Sequence, residues 1–436
     1  MRILILTTFY PPDTAVAAVR PYMLAKYLTQ RGHDVTVLRS GEFYNSASDF
    51  FDMSIPVRVI SFLGENSPAE RYARGEQTDF PCEEGNSRVA FLPAPLQKLA
   101  VALYRPIRFW NWQRDVAGKL KKQKEAIDQL RDEQFDVVFS TFGQQENIAA
   151  GQYAAKLFGC KLIQDFRDPV ATKAFYGGIY YRYLKRIQDD AVINADGVTT
   201  ISEGMLQEVF ACLNAPTPGM TLYNGYEPAP SDKENAAVEA DVFSLCYTGI
   251  LYGELRDFTP LLRALKCLAE ENRIDLSKVR LNYAGRDFSI LQNLARKIGM
   301  TDILINHGYV SRAEAARLQN TSDIFLVLSW NQPESQGILT GKFYEGIRAK
   351  KPILSLISGN LPNSELNILN QKYNYGFCYE DCRGEEHFAE LCRFLEKAYH
   401  EKMNFGKVQH KINPELEAVF RYDHLAQQLE DFIQKI

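Results

Sequence analysis

Two glycines and a basic residue occur together in one short segment, Tyr247–Asp257, which follows a buried apolar run. Gly249 and Gly253 would let a ligand approach the backbone closely, and Arg256 adds a fixed positive charge. If the segment opens a helix, its free amide groups favour an anion at the same place. The segment is therefore a candidate phosphate-binding site. The alternative is an ordinary strand-to-helix turn with a surface arginine.

A second segment, Gln336–Glu345, carries a hydroxyl, an ammonium and a carboxylate close together. Thr340 is placed to cap a helix. Lys342 and Glu345 are three residues apart, so both would lie on one helix face near its positive terminus. An ammonium there suits a departing diphosphate, and a carboxylate suits the vicinal hydroxyls of a ribose. The alternative is a surface ion pair of little energetic value.

The usual motifs of metal-assisted and dinucleotide chemistry are missing from the sequence. It contains no Asp-x-Asp triplet, and no Gly-x-Gly-x-x-Gly follows an apolar run. Gly337, Gly341 and Lys342 resemble a Walker A loop, but Phe343 stands where a Ser or Thr would hold magnesium. We therefore expect amides and basic side chains to bind a diphosphate, with no metal and no other cofactor.

Three cysteines and a histidine, Cys378, Cys382, His387 and Cys392, are close enough in sequence to suggest zinc. Their spacing lacks the two pairs of ligands that structural zinc sites use. Cys392 also falls on an apolar helical face, so buried free thiols are the favoured interpretation.

Charged residues also follow a strand-like run in the first half of the chain. Asp165, Arg167 and Asp168 come directly after Lys161–Gln164. Because ligands bind outside the carboxyl ends of parallel strands, we expect these side chains to face a cleft. They would bind an acceptor there, and Asp165 would help to deprotonate its hydroxyl. The alternative is an Asp–Arg pair that fixes a turn.

Short runs rich in Val and Ile alternate with helix-like segments along the chain. This alternation predicts an α/β protein with parallel sheets. Turn residues in Tyr223–Pro228, followed by a polar stretch to about residue 240, indicate a linker. We expect two Rossmann-like, doubly wound domains, residues 1–225 and 240–410, with a ligand cleft between them. A final helix, about 414–436, is expected to pack back on the first domain.

Length and charge restrict the class of protein. The 436 residues suggest two or three domains, and a formal net charge of -4 argues against a nucleic-acid partner. No run approaches the roughly 18 apolar residues that span a bilayer. The apolar opening, Met1–Leu6, is shorter than the core of a signal peptide. The 8 scattered cysteines fit reduced thiols, so we expect a cytoplasmic location.

One region departs from this charge balance. Between Lys98 and Lys124 there are eight basic residues and one acidic residue, within a predicted helix of about 96–133. Phe109, Trp110 and Trp112 lie among them. A basic helix with aromatic residues is typical of an anchor at the surface of an anionic membrane. The alternative is a solvated helix whose aromatic residues pack on the first domain.

Taken in order, these segments resemble the family-four glycosyltransferases. That family has the GT-B fold. Its members transfer sugars from nucleotide-diphosphate sugars, with retention of the anomeric configuration and without a bound metal. The resemblance spans most of the chain and is carried by the segments Arg2–Thr8, Tyr10–Pro12, Arg31–Val35, Gln164–Pro169, Thr200–Glu203, Asn224–Gly225, Tyr247–Asp257 and Lys342–Pro352. Of these, Gln164–Pro169 resembles a bacterial polysaccharide-type subgroup.

The resemblance implies roles for the donor-side residues. Gly249 and Gly253 would lie against the donor phosphates, Arg256 would supply the basic group, and Glu345 would bind the ribose. The family has a further glutamate eight residues earlier, where this chain has Gly337. Glu334 is the candidate substitute.

On the acceptor side, the family's glycine pair after the first strand is replaced by Ala15–Ala18, of which Ala17 would line the acceptor site. The implied acceptor is a glycan or a lipid-linked molecule of cell-surface polysaccharide synthesis, met at the inner face of the membrane. Arg256, Lys342 and Asp165 are the expected catalytic residues. Two alternatives stay open: a nucleotide-sugar 2-epimerase, and a non-catalytic subunit that binds sugar nucleotides.

Overall fold

The computed structural model describes residues 1–13, 15–42, 51–52, 54–64, 94–142, 145–171, 178–211, 213–228, 241–251, 255–333 and 335–436, with the backbone alone for 94–105 and 142. These residues form two parallel sheets, one of seven strands and one of six, with helices packed around each. The expected α/β architecture with two doubly wound sheets is confirmed.

The first sheet has the strand order β3-β2-β1-β4-β5-β6-β7. Its strands are β1 (Arg2–Thr7), β2 (Asp34–Arg39), β3 (Arg58–Ser61), β4 (Val137–Phe142), β5 (Lys161–Phe166), β6 (Gly197–Thr200) and β7 (Gly219–Thr221). The helices between them are α1 (Val16–Gln30), α2 (Ala94–Asp128), α3 (Glu146–Phe158), α4 (Gly178–Ile193) and α5 (Glu203–Phe210). The central strands are buried on both faces, which explains their runs of Val and Ile. The edge strand β7 is too short to have been predicted from the sequence.

The second sheet has the order β10-β9-β8-β11-β12-β13. Its strands are β8 (Phe243–Thr248), β9 (Val279–Ala284), β10 (Leu304–Gly308), β11 (Ile324–Trp330), β12 (Ile353–Ser358) and β13 (Gly376–Glu380). The helices are α6 (Thr259–Glu270), α7 (Phe288–Ile298), α8 (Arg312–Thr321), α9 (Gly341–Arg348), α10 (Glu365–Tyr373) and α11 (Gly384–Phe405).

The last part of the chain forms two helices where the sequence predicted one. They are α12 (Pro414–Val419) and α13 (Tyr422–Lys435), and the break falls at Phe420–Arg421. The Phe420 carbonyl accepts a hydrogen bond from the backbone N–H of Tyr226, at 2.9 Å, so the chain between the sheets occupies the break. Beyond it, α13 packs on α1 and buries Leu425, Leu429 and other apolar side chains in the core of the first sheet.

The carboxyl ends of both sheets carry the loops on which ligands bind in folds of this kind. In each sheet the strand order reverses once, between β1 and β4 in the first and between β8 and β11 in the second. A crevice forms at such a reversal because the two connections leave in opposite directions. Among the described helices, none is long and apolar enough to cross a membrane.

Candidate functional site

Both predicted donor segments reach the crevice of the second sheet. Gly249 directly follows β8, and Thr340 directly precedes α9, the helix that follows β11. Gly249 has a φ of +149°, which a side chain would strain, and its N–H donates to the Ala284 carbonyl at 2.8 Å. A Cβ built on Gly249 would lie 3.2 Å from Cε of Lys342. The two segments are therefore in direct contact.

Lys342 and Glu345 form a close ion pair in this crevice. The Lys342 ammonium lies 2.8 and 2.9 Å from the two carboxylate oxygens. Gln319, which is buried on α8, donates to the same carboxylate at 2.6 Å and to the Thr248 hydroxyl at 2.8 Å. The pair is only partly exposed and is tied to the end of β8 through Gln319. It is thus held in place more firmly than a surface ion pair.

Arg256 lies across the ends of β8 and β11. Its guanidinium donates to the Ile250 carbonyl at 2.6 Å and to the Tyr247 hydroxyl at 3.1 Å. It also lies 6.0 Å from the centre of the Trp330 ring. Those two acceptors are uncharged, and they fix the orientation of the guanidinium. Its position is compatible with the basic donor-side role expected from the sequence.

Thr340 occupies the N-cap position of α9, as expected, but its side chain does not cap the helix. Its hydroxyl is buried and has no hydrogen-bond partner among the described residues. Gly253 and Glu334, the remaining predicted donor residues, lie outside the described residues.

Gly337 is packed against the first domain. The family-four glycosyltransferases have the first of their two glutamates at this position. The φ of Gly337 is +68°, and a Cβ there would lie 2.7 Å from Oγ of Ser202 and 2.9 Å from Cα of Gly204. No side chain fits at this position. The departure from the family pattern therefore has a steric reason: the loop before α9 touches the start of α5.

Asp165 does not have the accessible carboxylate that the sequence analysis expected. It is fully buried and receives two hydrogen bonds from Arg20, at 2.9 and 2.7 Å. The hydroxyls of Thr141 and Thr199 donate to it at 2.8 and 2.7 Å. Burial alone would raise the pKa of Asp165, but Arg20 and the two hydroxyls hold it below the ordinary value. The expected role in deprotonating an acceptor is therefore wrong. Asp165 does form an Asp–Arg pair, but its partner is Arg20, 145 positions away, so the pair does not fix a local turn as the alternative proposed.

Arg167 and Ala17 are brought together at the crevice of the first sheet. The Arg167 guanidinium donates to the Ala17 carbonyl, in the first turn of α1, at 2.6 Å. Burial and then the nearby charge of Arg20 lower the pKa of Arg167. Asp168 is exposed beside it. These residues could contact an acceptor that enters between the sheets.

Sequence reasoning missed Gln145 and Glu146, which lie at the same crevice where α3 begins after β4. Both side chains are buried, and their polar atoms have no hydrogen-bond partner from another described residue. Burial raises the pKa of Glu146 to about 7, although Lys119 opposes this shift. A run of polar residues directly after a predicted strand was the available signal.

The residues of the suggested zinc site do not come together in the structure. Cys378 and Cys392 belong to different hydrophobic clusters, and Cys382 is exposed. His387 accepts a hydrogen bond from the Glu380 backbone N–H at 3.0 Å. Among the described residues, no three potential metal ligands come together.

Comparison with known proteins agrees with this arrangement. Residues 17–225 match the family model of the glycosyl transferase 4-like domain. Residues 17–225 therefore form a domain of this glycosyltransferase family. A sequence comparison with curated proteins finds no significant match.

Solved structures show that the chain has the GT-B fold over its whole length. Anabaena HepE, in complex with UDP and glucose, is 13% identical with a TM-score of 0.57, and the match covers 100% of both chains. Sucrose-phosphate synthase from Thermosynechococcus elongatus is 11% identical with a TM-score of 0.59, covering 100% of this chain and 99% of the other. The lipopolysaccharide outer core galactosyltransferase WaaB is 13% identical with a TM-score of 0.57 and full coverage of both chains.

Proposed function

We propose that this glycosyltransferase transfers a sugar from a nucleotide-diphosphate donor bound in the crevice of the second sheet. The observation that carries the proposal is the convergence of Gly249, Lys342 and Glu345 at that crevice. Backbone amides and an ammonium suit a diphosphate, and a carboxylate suits ribose hydroxyls. Structural neighbours crystallised with UDP or named as galactosyltransferases support the same class of donor.

In the proposed reaction the acceptor hydroxyl attacks the anomeric carbon from the face that the diphosphate leaves. The bond between that carbon and the diphosphate oxygen breaks, the new glycosidic bond forms, and the hydroxyl proton passes to the departing diphosphate. No protein nucleophile is needed. Negative charge develops on the leaving oxygen, so Lys342, Arg256 and the N-terminus of α9 would supply the stabilisation. Those organic cations would make a metal unnecessary.

The donor would rearrange the existing ion pair. Ribose hydroxyls that hydrogen-bond to Glu345 would compete with the Lys342 ammonium, which would then turn toward the phosphates. Gln319 would keep the carboxylate in place during this exchange, because it bonds to both Glu345 and Thr248.

For the acceptor, we propose a glycan or lipid-linked molecule of cell-surface polysaccharide synthesis that enters near Arg167, Asp168 and Ala17. The buried Asp165 would take no part in the chemistry. It would instead fix Arg20 and, through it, the chain that leaves the first sheet, since Arg20 also donates to the Tyr223 carbonyl at 2.8 Å.

We further propose that an anionic membrane binds an exposed apolar patch on α2 and α4. Phe109 is buried against Tyr180, with ring centroids 4.5 Å apart, so part of the aromatic cluster packs on the first domain. Four side chains, which we call the α2–α4 patch, are exposed beside it: Ile107, Trp110, Ile179 and Tyr183. Trp110 and Tyr183 pack together across the two helices, with ring centroids 6.3 Å apart.

Exposed arginines surround this patch, namely Arg108, Arg114, Arg182 and Arg186. Apolar side chains at the centre and cations at the rim suit a surface of anionic headgroups. Lys119 belongs to the basic region but turns inward, to 3.3 Å from Glu42 and 3.4 Å from Asp115. Because Arg182 and Arg186 lie on α4, the contact surface would extend along α4 as well as along the basic helix α2.

A panel of UDP-, GDP-, ADP- and dTDP-sugars tests the proposed donor class. We expect one nucleotide family to bind with a micromolar to millimolar dissociation constant and to be hydrolysed slowly when acceptor is omitted. Release of free nucleoside diphosphate supports a transferase. An isomerised donor would instead indicate an epimerase, and an intact bound donor would indicate a non-catalytic subunit.

A further inference from the structure

The two halves of the molecule meet at the N-terminus of α5. Ser202 caps this helix from within the first domain, where its hydroxyl accepts from the Met205 N–H at 3.2 Å. The next two N–H groups, those of Glu203 and Gly204, donate to the two carboxylate oxygens of Glu365, each at 3.0 Å. Glu365 is the first residue of α10, so a residue of the second domain completes the cap of a first-domain helix.

The same carboxylate also binds the chain that leaves the first sheet. The Tyr223 hydroxyl donates to it at 3.2 Å. Glu365 is 7% exposed; two of these donors lie in the first domain, and the third, Tyr223, lies at the start of the linker. A buried carboxylate loses much of its stabilisation if such donors move away, so it favours the arrangement in which the two domains are in contact.

This contact is continuous with residues 335–340, the segment directly before α9, which we call the donor loop. A Cβ on Gly204 would lie 2.7 Å from Cα of Gly337, so the first turn of α5 is in backbone contact with the loop that leads to α9. Five residues after Gly337 comes Lys342, whose ammonium pairs with Glu345. The first domain therefore touches the segment that presents the donor-side ammonium.

We infer that Glu365 is a positioning residue: by capping α5 across the domain boundary it holds the donor loop against Gly204 and keeps the backbone of Lys342 where its ammonium can turn toward the phosphates. The inference rests on the proposed function, because it assigns the donor loop to a nucleotide sugar. Glu365 itself touches no reacting atom. It acts through the contact between Gly204 and Gly337.

Two variants test the contact from its two sides. Glu365→Gln replaces one accepting oxygen by an NH2 group that faces an N–H donor, and Gly204→Ala inserts a methyl group against Gly337. In both we expect turnover of the nucleotide sugar to fall at least ~10-fold, because a small misplacement of a charge-stabilising group is costly. The dissociation constant of the free nucleoside diphosphate should stay within about twofold, because that ligand needs only the second domain.

The control is Asp196→Asn, which alters a carboxylate that accepts the Leu162 N–H, at 2.8 Å, within the first domain. It should leave turnover unchanged. Small-angle scattering of the protein with nucleoside diphosphate should give a larger radius of gyration for Glu365→Gln than for wild type. A residue that only stabilises the fold would lower the melting temperature and leave turnover per folded molecule intact.

Near-wild-type turnover in both variants, or an unchanged radius of gyration in Glu365→Gln, overturns the inference. Failure of the proposed function gives a different result: the wild-type protein then binds and hydrolyses no nucleotide sugar. In that event the scattering comparison, made without ligand, still decides whether Glu365 holds the domains together.

Discussion

Arg20 and Asp165 are separated by 145 positions in the sequence and form a two-pronged ion pair that is closed to solvent. The same guanidinium holds the Tyr223 carbonyl, so the pair joins α1, β5 and the start of the linker. The position of Asp165 directly after a strand-like run had predicted it as a residue of the acceptor site. Its contacts show that it organises the first domain.

Asp165→Asn should destabilise the first domain by about 3–5 kcal/mol at pH 7, because it leaves the buried charge of Arg20 without its partner. Asp165 has a lowered pKa in the folded protein, so its stabilising contribution is present above the ordinary value of 3.8. That contribution disappears as the pH falls below this value. Urea unfolding of wild type and variant should therefore differ at pH 7 and converge in strong acid. The exposed Asp190, changed to Asn, is the control and should shift unfolding by less than about 0.5 kcal/mol.

Glu146→Gln should stabilise the protein at high pH, whereas Asp165→Asn should destabilise it there. Folding raises the pKa of Glu146 from 4.5 to about 7, so the folded state disfavours the ionised form. The cost is absent below pH 4.5, grows between the two values and is complete above pH 7, where it reaches about 3 kcal/mol. The neutral amide should thus raise the free energy of unfolding at pH 8 and leave it unchanged at pH 4. Parallel stability curves for wild type and variant would contradict the burial of this carboxyl group. Glu125→Gln, an exposed carboxylate on α2, serves as the matched control.

Glu345→Ala and Arg256→Ala should separate donor binding from turnover. Loss of the Glu345 carboxylate should raise the dissociation constants of sugar nucleotide and free nucleoside diphosphate alike, by ~10-fold or more. Arg256→Ala should mainly lower kcat, by about 100-fold, because its charge matters most as the diphosphate departs. Titration calorimetry and steady-state kinetics measure the two effects. If Glu345→Ala binds free nucleoside diphosphate as tightly as wild type, the ribose assignment is wrong.

Chelation should leave the transfer reaction intact. Lys342, Arg256 and the start of α9 supply the positive charge that a metal ion would otherwise supply in the proposed mechanism. Product formation should be the same within error before and after dialysis against EDTA. Complete loss of activity, restored by manganese or magnesium, would refute the metal-independent mechanism.

The α2–α4 patch should bind vesicles that contain an anionic lipid and release them at high salt. Each basic residue near such a surface contributes about 1 kcal/mol, and the exposed apolar side chains add their burial. Trp110→Ala combined with Tyr183→Ala should abolish co-sedimentation with these vesicles. Ile193→Ala removes an equally exposed apolar side chain at the other end of α4 and should have no effect. Wild-type protein that remains in the supernatant at low salt would show that the patch does not bind lipid.

The sequence was most informative where local pattern and fold agree. Runs of Val and Ile predicted both parallel sheets, because a strand buried on two faces leaves a continuous apolar signal. The donor segments were found for a related reason: Gly249 directly follows the strand β8, and Lys342 lies in the first turn of α9, the first helix after β11. Contacts between segments that are far apart in the sequence could not be predicted from it. Neither the partner of Asp165 nor the role of Glu365 follows from neighbouring residues, because both depend on how the chain folds back over more than a hundred positions.

The position of α13 has a consequence for biosynthesis. The apolar side chains of this helix fill part of the core of the first sheet, although the helix follows the whole second sheet in the sequence. During translation the strands of the first sheet emerge early but lack this part of their core, whereas the second sheet needs only residues already made. Folding during synthesis usually proceeds from the N-terminus. Here the domain that is translated first would be the last to close, and until then its incomplete apolar core would be exposed to aggregation.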